Sequence, residues 1–137
     1  MKQYKILLLF FLIFVTKDSI AKCPQNPDVN NTESIIYITS SVTYGSGTPT
    51  ISDQIIITSG GSLYITGVVS MSSSGRIQIQ GNGSLIINGG TLQNAKIGID
   101  SGGNLQMLNN GIINKAPGTE LEVPQGANVY IITGTIN

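Results

Sequence analysis

Ile77-Gln78-Ile79-Gln80-Gly81-Asn82-Gly83-Ser84-Leu85-Ile86-Ile87 decides the reading of this chain, because three other stretches repeat its pattern without a gap. They are Ile55-Ile56-Ile57-Thr58-Ser59-Gly60-Gly61-Ser62-Leu63-Tyr64-Ile65, Ile97-Gly98-Ile99-Asp100-Ser101-Gly102-Gly103-Asn104-Leu105-Gln106-Met107 and Leu121-Glu122-Val123-Pro124-Gln125-Gly126-Ala127-Asn128-Val129-Tyr130-Ile131. Each is an apolar-x-apolar pair, a Gly- or Asn-containing turn and a second apolar-x-apolar pair. The copies start at residues 55, 77, 97 and 121, at intervals of 22, 20 and 24. A weaker copy begins at Ile36-Tyr37-Ile38, 19 residues before the first. A third short segment follows each full copy: Gly67-Val68-Val69-Ser70, Gly90-Thr91-Leu92-Gln93, Gly111-Ile112-Ile113-Asn114 and Gly134-Thr135-Ile136-Asn137.

Three short strands repeated about every 22 residues are what a parallel β-helix requires. Its coils stack about 4.8 Å apart and bond to the coils above and below. Alternation sends every second side chain inward, and Ile and Val in those slots suit pleated strands. The predicted inward set is Ile55, Ile57, Leu63, Ile65 and Val69, with their counterparts in the next three coils. Leu85→Asp should therefore unfold the chain, and Ile86→Asp, one residue on and facing outward, should be tolerated far better. Glycines at the turns supply positive φ. Ser70, Gln93, Asn114 and Asn137 are expected to form a ladder of side-chain hydrogen bonds. The expected fold is thus all-β: a short, single-domain β-solenoid of four to five coils.

Outside the repeat, composition narrows the functional classes. The chain has 137 residues, no His, no Trp and one Cys. It carries 7 basic and 7 acidic residues, with Arg76 the lone guanidinium, which argues against a nucleic-acid partner. Without His the commonest general base and metal ligand is missing, and one Cys permits neither an internal disulfide nor a Cys-based zinc site. No cofactor is expected. Residues 1–21 read as a signal peptide: basic Lys2 and Lys5, the apolar run Ile6 to Val15, and Ser19-Ile20-Ala21 as the cleavage signal. A lipoprotein signal at Cys23 fits poorly because Lys22 precedes it. Cleavage leaves four positive and six negative side chains, net −2. The expectation is an exported protein, secreted, periplasmic or at the cell surface, with no membrane association after cleavage. Residues 22–50 read as a polar lead-in or N-terminal cap, with Cys23 a lone thiol, and residues 51–137 as the coils.

The repeats resemble the coils of right-handed parallel β-helix proteins, the pectin-lyase-like superfamily of secreted and surface bacterial proteins. That resemblance covers residues 51–137, or 36–137 with the weaker copy, and it is specific for architecture. The superfamily includes polysaccharide lyases, glycoside hydrolases, tailspikes and adhesin stalks, so it does not decide function. The clustered carboxylates with Lys or Arg that its enzymes use do not map onto this chain.

The remaining chemistry is sparse. Asp100 and Glu122 fall in adjacent columns of neighbouring coils, and a carboxylate pair can serve glycoside hydrolysis. Solvated surfaces carry such pairs as well, and no catalytic residue is assigned. The turn glycines match neither a phosphate loop nor a calcium-binding nonapeptide repeat. Within residues 51–137, Thr133-Gly134-Thr135 is the lone fit to an ice-binding Thr-x-Thr rank. The candidate binding face is the outward column Tyr64, Ile86, Gln106 and Tyr130, with Thr66, Asn88, Leu108 and Ile132 beside it. Two occupants compete for it: an external partner such as a surface glycan, and the 22–50 segment or a neighbouring chain. The expected function is a non-catalytic structural or adhesive surface module. The alternatives are a carbohydrate-active or carbohydrate-binding β-helix and, less favoured, an ice-binding solenoid. Asn137 closes the fourth full repeat with no cap after it, so end-on association of copies, or a chain shortened from a longer β-helix, is a further expectation.

Overall fold

The structure, a computed structural model, describes residues 34–137, and they form an all-β solenoid of about five coils. Signal-peptide cleavage and Cys23 lie outside the described residues. The strands are β1 (Ile35–Ile38), β2 (Ser41–Tyr44), β3 (Gln54–Ile57), β4 (Ser62–Ile65), β5 (Val68–Ser70), β6 (Arg76–Ile79) and β7 (Ser84–Asn88). They continue with β8 (Thr91–Ala95), β9 (Ile97–Ile99), β10 (Asn104–Leu108), β11 (Gly111–Lys115), β12 (Asn128–Ile131) and β13 (Gly134–Ile136). Every pairing is parallel. The strands build three walls: β1-β3-β6-β9, β2-β4-β7-β10-β12 and β5-β8-β11-β13.

The repeat alignment is the register of these walls. Ile55 pairs with Ile77 and Ile77 with Ile97; Leu63, Leu85, Leu105 and Val129 form one unbroken row. Val69, Leu92, Ile113 and Ile136 form another. The weaker copy is a genuine first coil, since Ile36 pairs with Ile55 and Val42 with Leu63. Coils therefore begin at Ile35, inside the stretch expected to be a lead-in. Its repeat is faint because the turn from Ile38 to Val42 is two residues shorter than the turn from Ile57 to Leu63. The third wall of that coil is reduced to a single bridge from Ile51 to Met71.

Burial follows stacking. The inward residues of the second and third coils, from Ile55 to Leu92, are fully enclosed. Removing each from water contributes roughly 1.5–3 kcal/mol, against the entropy of ordering the coil. Ile97 is half-buried, and in the fifth coil none of the predicted inward residues is enclosed: Val123 is 51% and Ile131 50% exposed. An inward side chain needs a rung on both sides, and no rung lies above these residues among those described.

Leu121-Glu122-Val123 departs from expectation more sharply, because it forms no strand and leaves the first wall one rung short. Its spacing is not the cause. Ile113 to Leu121, to Val123, to Val129 repeats the intervals of Val69 to Ile77, to Ile79, to Leu85. Two local features differ instead from the lower coils. Thr58, Gln80 and Asp100 donate their N–H to the carbonyls of Ile38, Ile57 and Ile79 in the preceding coil, at 3.0, 2.9 and 2.8 Å. Pro124 occupies the next such position and has no N–H to give Ile99. A Cβ on Gly61 would run into the Ile38 carbonyl, and one on Gly83 or Gly103 would lie 2.5 or 2.9 Å from the Ile57 or Ile79 carbonyl. Ala127 occupies the next such position and carries a Cβ where the three lower coils have glycine.

The turns thus divide the work expected of their glycines. Gly60, Asn82, Gly102 and Gly126 take positive φ, whereas Gly61, Gly83 and Gly103 are small because a neighbouring backbone passes so close. The expected amide ladder is two separate pairs. Ser70 Oγ donates to Gln93 Oε1 at 2.9 Å, and Asn137 Nδ2 to Asn114 Oδ1 at 2.8 Å. Between them the register shifts, Gln93 and Asn94 (φ 54°) together standing opposite Asn114, and no side-chain hydrogen bond joins Gln93 to Asn114.

Tyr44, on β2, packs against the N-terminal end of the core. Burial, with the Asp53 carboxylate adding to it, holds its phenol above the ordinary value of 10.0. The folded state therefore keeps the proton more tightly than the unfolded chain. That stabilisation is complete below pH 10 and is lost as pH rises through the folded value. Denaturant titrations should show stability falling above pH 10, with a shallower fall in Tyr44→Phe; identical slopes would remove Tyr44 as the cause.

Candidate functional site

Five strands of the second wall place one outward residue each in a single file: Thr43, Tyr64, Ile86, Gln106 and Tyr130. The four positions expected from the sequence fall in consecutive rungs, and Thr43 extends the file by one. Its signal was the Ser41-Val42-Thr43-Tyr44 alternation, hidden by the short preceding turn. Tyr64 and Tyr130 stand three rungs apart, about 14 Å at β-rung spacing.

Exposure varies along the file. Tyr130 is 53% exposed and Tyr64 and Gln106 are half-buried, but Ile86 is only 4% exposed. Ile86 lies outside the interior cluster, as its alternation demands, and its register neighbours in the file are Tyr64 and Gln106. It is therefore an enclosed part of the outer face and not the freely exposed residue expected. In the adjacent row, Asn88 pairs in register with Leu108 and accepts a hydrogen bond from Asn109 Nδ2 at 2.6 Å. Ile132 is 72% exposed, and Thr66 is exposed as well. The face offers aromatic edges, an apolar floor and amides on a stack of parallel rungs.

The carboxylates sit on other walls. Asp100 Oδ1 accepts from Gln78 Nε2 at 2.7 Å, and Gln78 Oε1 accepts from Arg76 at 3.0 Å, so a polar chain crosses the outside of the first wall. Glu122 and Glu120 lie on the segment that stands away from β9 and line an open groove with Gln78, Ile97, Gly98 and Ile99. Lys96 Nζ donates to the Ser73 carbonyl, tying one coil to the next turn. Among the described residues, no three of His, Cys, Asp and Glu gather in a way that could hold a metal ion. Thr133 and Thr135 do not form a strand pair: Thr133 lies in the turn before β13, its Oγ accepting from the Asn110 N–H at 3.1 Å.

Comparison with protein-family models, with curated proteins and with solved structures finds no match for this chain.

Proposed function

We propose that the chain is an exported, non-catalytic β-solenoid that acts as a structural or adhesive surface module, with the outer face of the second wall as its contact surface. The observation that carries this reading is the in-register file of Tyr64, Ile86, Gln106 and Tyr130 on a stack of parallel rungs. β4, β7 and β10, bonded on both sides, hold Tyr64, Ile86 and Gln106 at low entropic cost, and β12 adds Tyr130 on the last described rung. Flat, partly apolar faces with aromatic residues on such scaffolds are common contact sites. Export follows from the basic, apolar and small-residue order of residues 1–21. The pectin-lyase-like resemblance supplies the surface setting, in which glycans are the natural partner class.

A screen of the purified chain against glycans and matrix proteins tests the proposal. A ligand is expected whose affinity drops about tenfold in Tyr64→Ala and in Tyr130→Ala, the loss typical of an aromatic anchor. It should be unchanged in Thr135→Lys, on a different wall. Equal affinity in all three variants would exclude this face. Release of reducing or unsaturated sugar ends from a polysaccharide, abolished by Asp100→Asn or Glu122→Gln, would replace the proposal with a carbohydrate-active one.

A further inference from the structure

The first wall stops at β9 although the chain returns alongside it. Ile77 N–H donates to the Lys96 carbonyl and Asp100 N–H to the Ile79 carbonyl. Gly98 thus bonds toward β6, and alternation along a parallel strand turns the N–H and C=O of Ile97 and Ile99 the other way. Residues 121–124 approach that edge but make no main-chain bond to it. Between them lies an open groove of about 440 Å³, bounded by Ile97, Gly98 and Ile99 on one side and by Glu120, Glu122, Val123 and Pro124 on the other. Pro124 and Ala127 are the two departures from the repeat that bear on this rung. Pro124 has no N–H to offer the Ile99 carbonyl, and Ala127 carries a Cβ where the three lower coils have glycine.

We propose that the open edge of β9 is a strand-addition site that takes an extended, cationic peptide segment of a partner, in parallel register, into the groove beside Glu120 and Glu122. Unpaired strand edges bind extended segments through main-chain bonds, with pockets and charges setting preference. Here the main-chain component is the N–H and C=O of Ile97 and Ile99, which have no main-chain partner among the described residues. The charge component is Glu120 and Glu122, both exposed, with the Asp100 carboxylate at the end of the same strand. Glu120 and Glu122 line the groove itself, Asp100 is engaged by Gln78 Nε2, and Lys115 shares a small neighbouring pocket with Ile97 and Glu120. Arg76 and Lys96 are engaged with Gln78 and with the Ser73 carbonyl. This surface is separate from the Tyr64–Tyr130 face and does not depend on it.

The probe is a synthetic peptide of residues 74–82, which carries the apolar-x-apolar pair of β6 preceded by Arg76. Backbone hydrogen exchange and titration calorimetry on the purified chain provide the readouts. Without peptide, the Ile97 and Ile99 amides should exchange much faster than those of Ile77 and Ile79, which are paired. Peptide should slow both, with an affinity that falls as salt is raised and drops at least about threefold in Glu120→Gln/Glu122→Gln. In Pro124→Gln/Ala127→Gly the chain's own rung should close, protecting the same amides and abolishing binding. Slow exchange of Ile97 and Ile99 in the free chain overturns the proposal, as does peptide that leaves them unprotected. Concentration-dependent protection without peptide assigns the edge to a second copy and overturns the peptide reading. Should the double rung variant fail to fold, the two exposed glutamate changes still decide whether charge guides the partner.

Discussion

Leu85→Asp is expected to abolish the cooperative thermal melt. Leu85 has no solvent exposure and lies in a row with Leu63 below and Leu105 above, both equally enclosed. A carboxylate there has no partner and no path to water. Stranding it costs at least about 5 kcal/mol, comparable with the whole stability of a domain this size. Ile86→Asp provides the contrast, and the structure changes its expected size. Ile86 points outward, outside the interior cluster, but is only 4% exposed, so the charge displaces apolar contact on the outer face rather than in the core. A loss of about 1–3 kcal/mol with a retained melt is expected. Calorimetry of both variants measures the difference; a cooperative melt in Leu85→Asp would mean that the register is displaced by one residue.

Gly83→Ala should destabilise the chain by about 3 kcal/mol although it adds one carbon. Its Cβ would stand 2.5 Å from the Ile57 carbonyl oxygen and 3.0 Å from those of Gln80 and Thr58, all of them backbone. None can give way without pulling a rung from the stack, because Gln80 N–H bonds to that Ile57 oxygen at 2.9 Å. The neighbouring position behaves oppositely. Asn82 holds φ 61°, which Gly adopts without cost, so Asn82→Gly should change stability by less than about 0.5 kcal/mol. Denaturant melts of the pair separate the two roles of the turn. A tolerated Gly83→Ala would show that coil spacing is soft at this corner.

The same contrast explains what was legible in advance. The rows Ile55–Ile77–Ile97 and Leu63–Leu85–Leu105 could be written from the sequence, because in a solenoid each rung meets its own repeat and alignment becomes contact. The Tyr64, Ile86, Gln106, Tyr130 file was legible for the same reason. Ile86's enclosure was not, since alternation assigns a direction and says nothing of what neighbouring side chains cover. The first coil, with its shortened turn, was visible only as a faint copy.

By itself the sequence determined the all-β character, the coil length, the inward and outward assignment along the repeated apolar pairs and the register of those pairs between coils. All of these follow from period-two alternation repeated at a near-constant interval. Tertiary structure alone decided which inward residues are enclosed, where the amide ladder breaks at Asn94, and that Leu121–Val123 stands off from β9. Those outcomes depend on what lies one rung away. Pro124 and Ala127 fit the repeat as letters, but stacking makes their positions those of Asp100 and Gly103, where the lower coil needs an N–H donor and a residue without a Cβ.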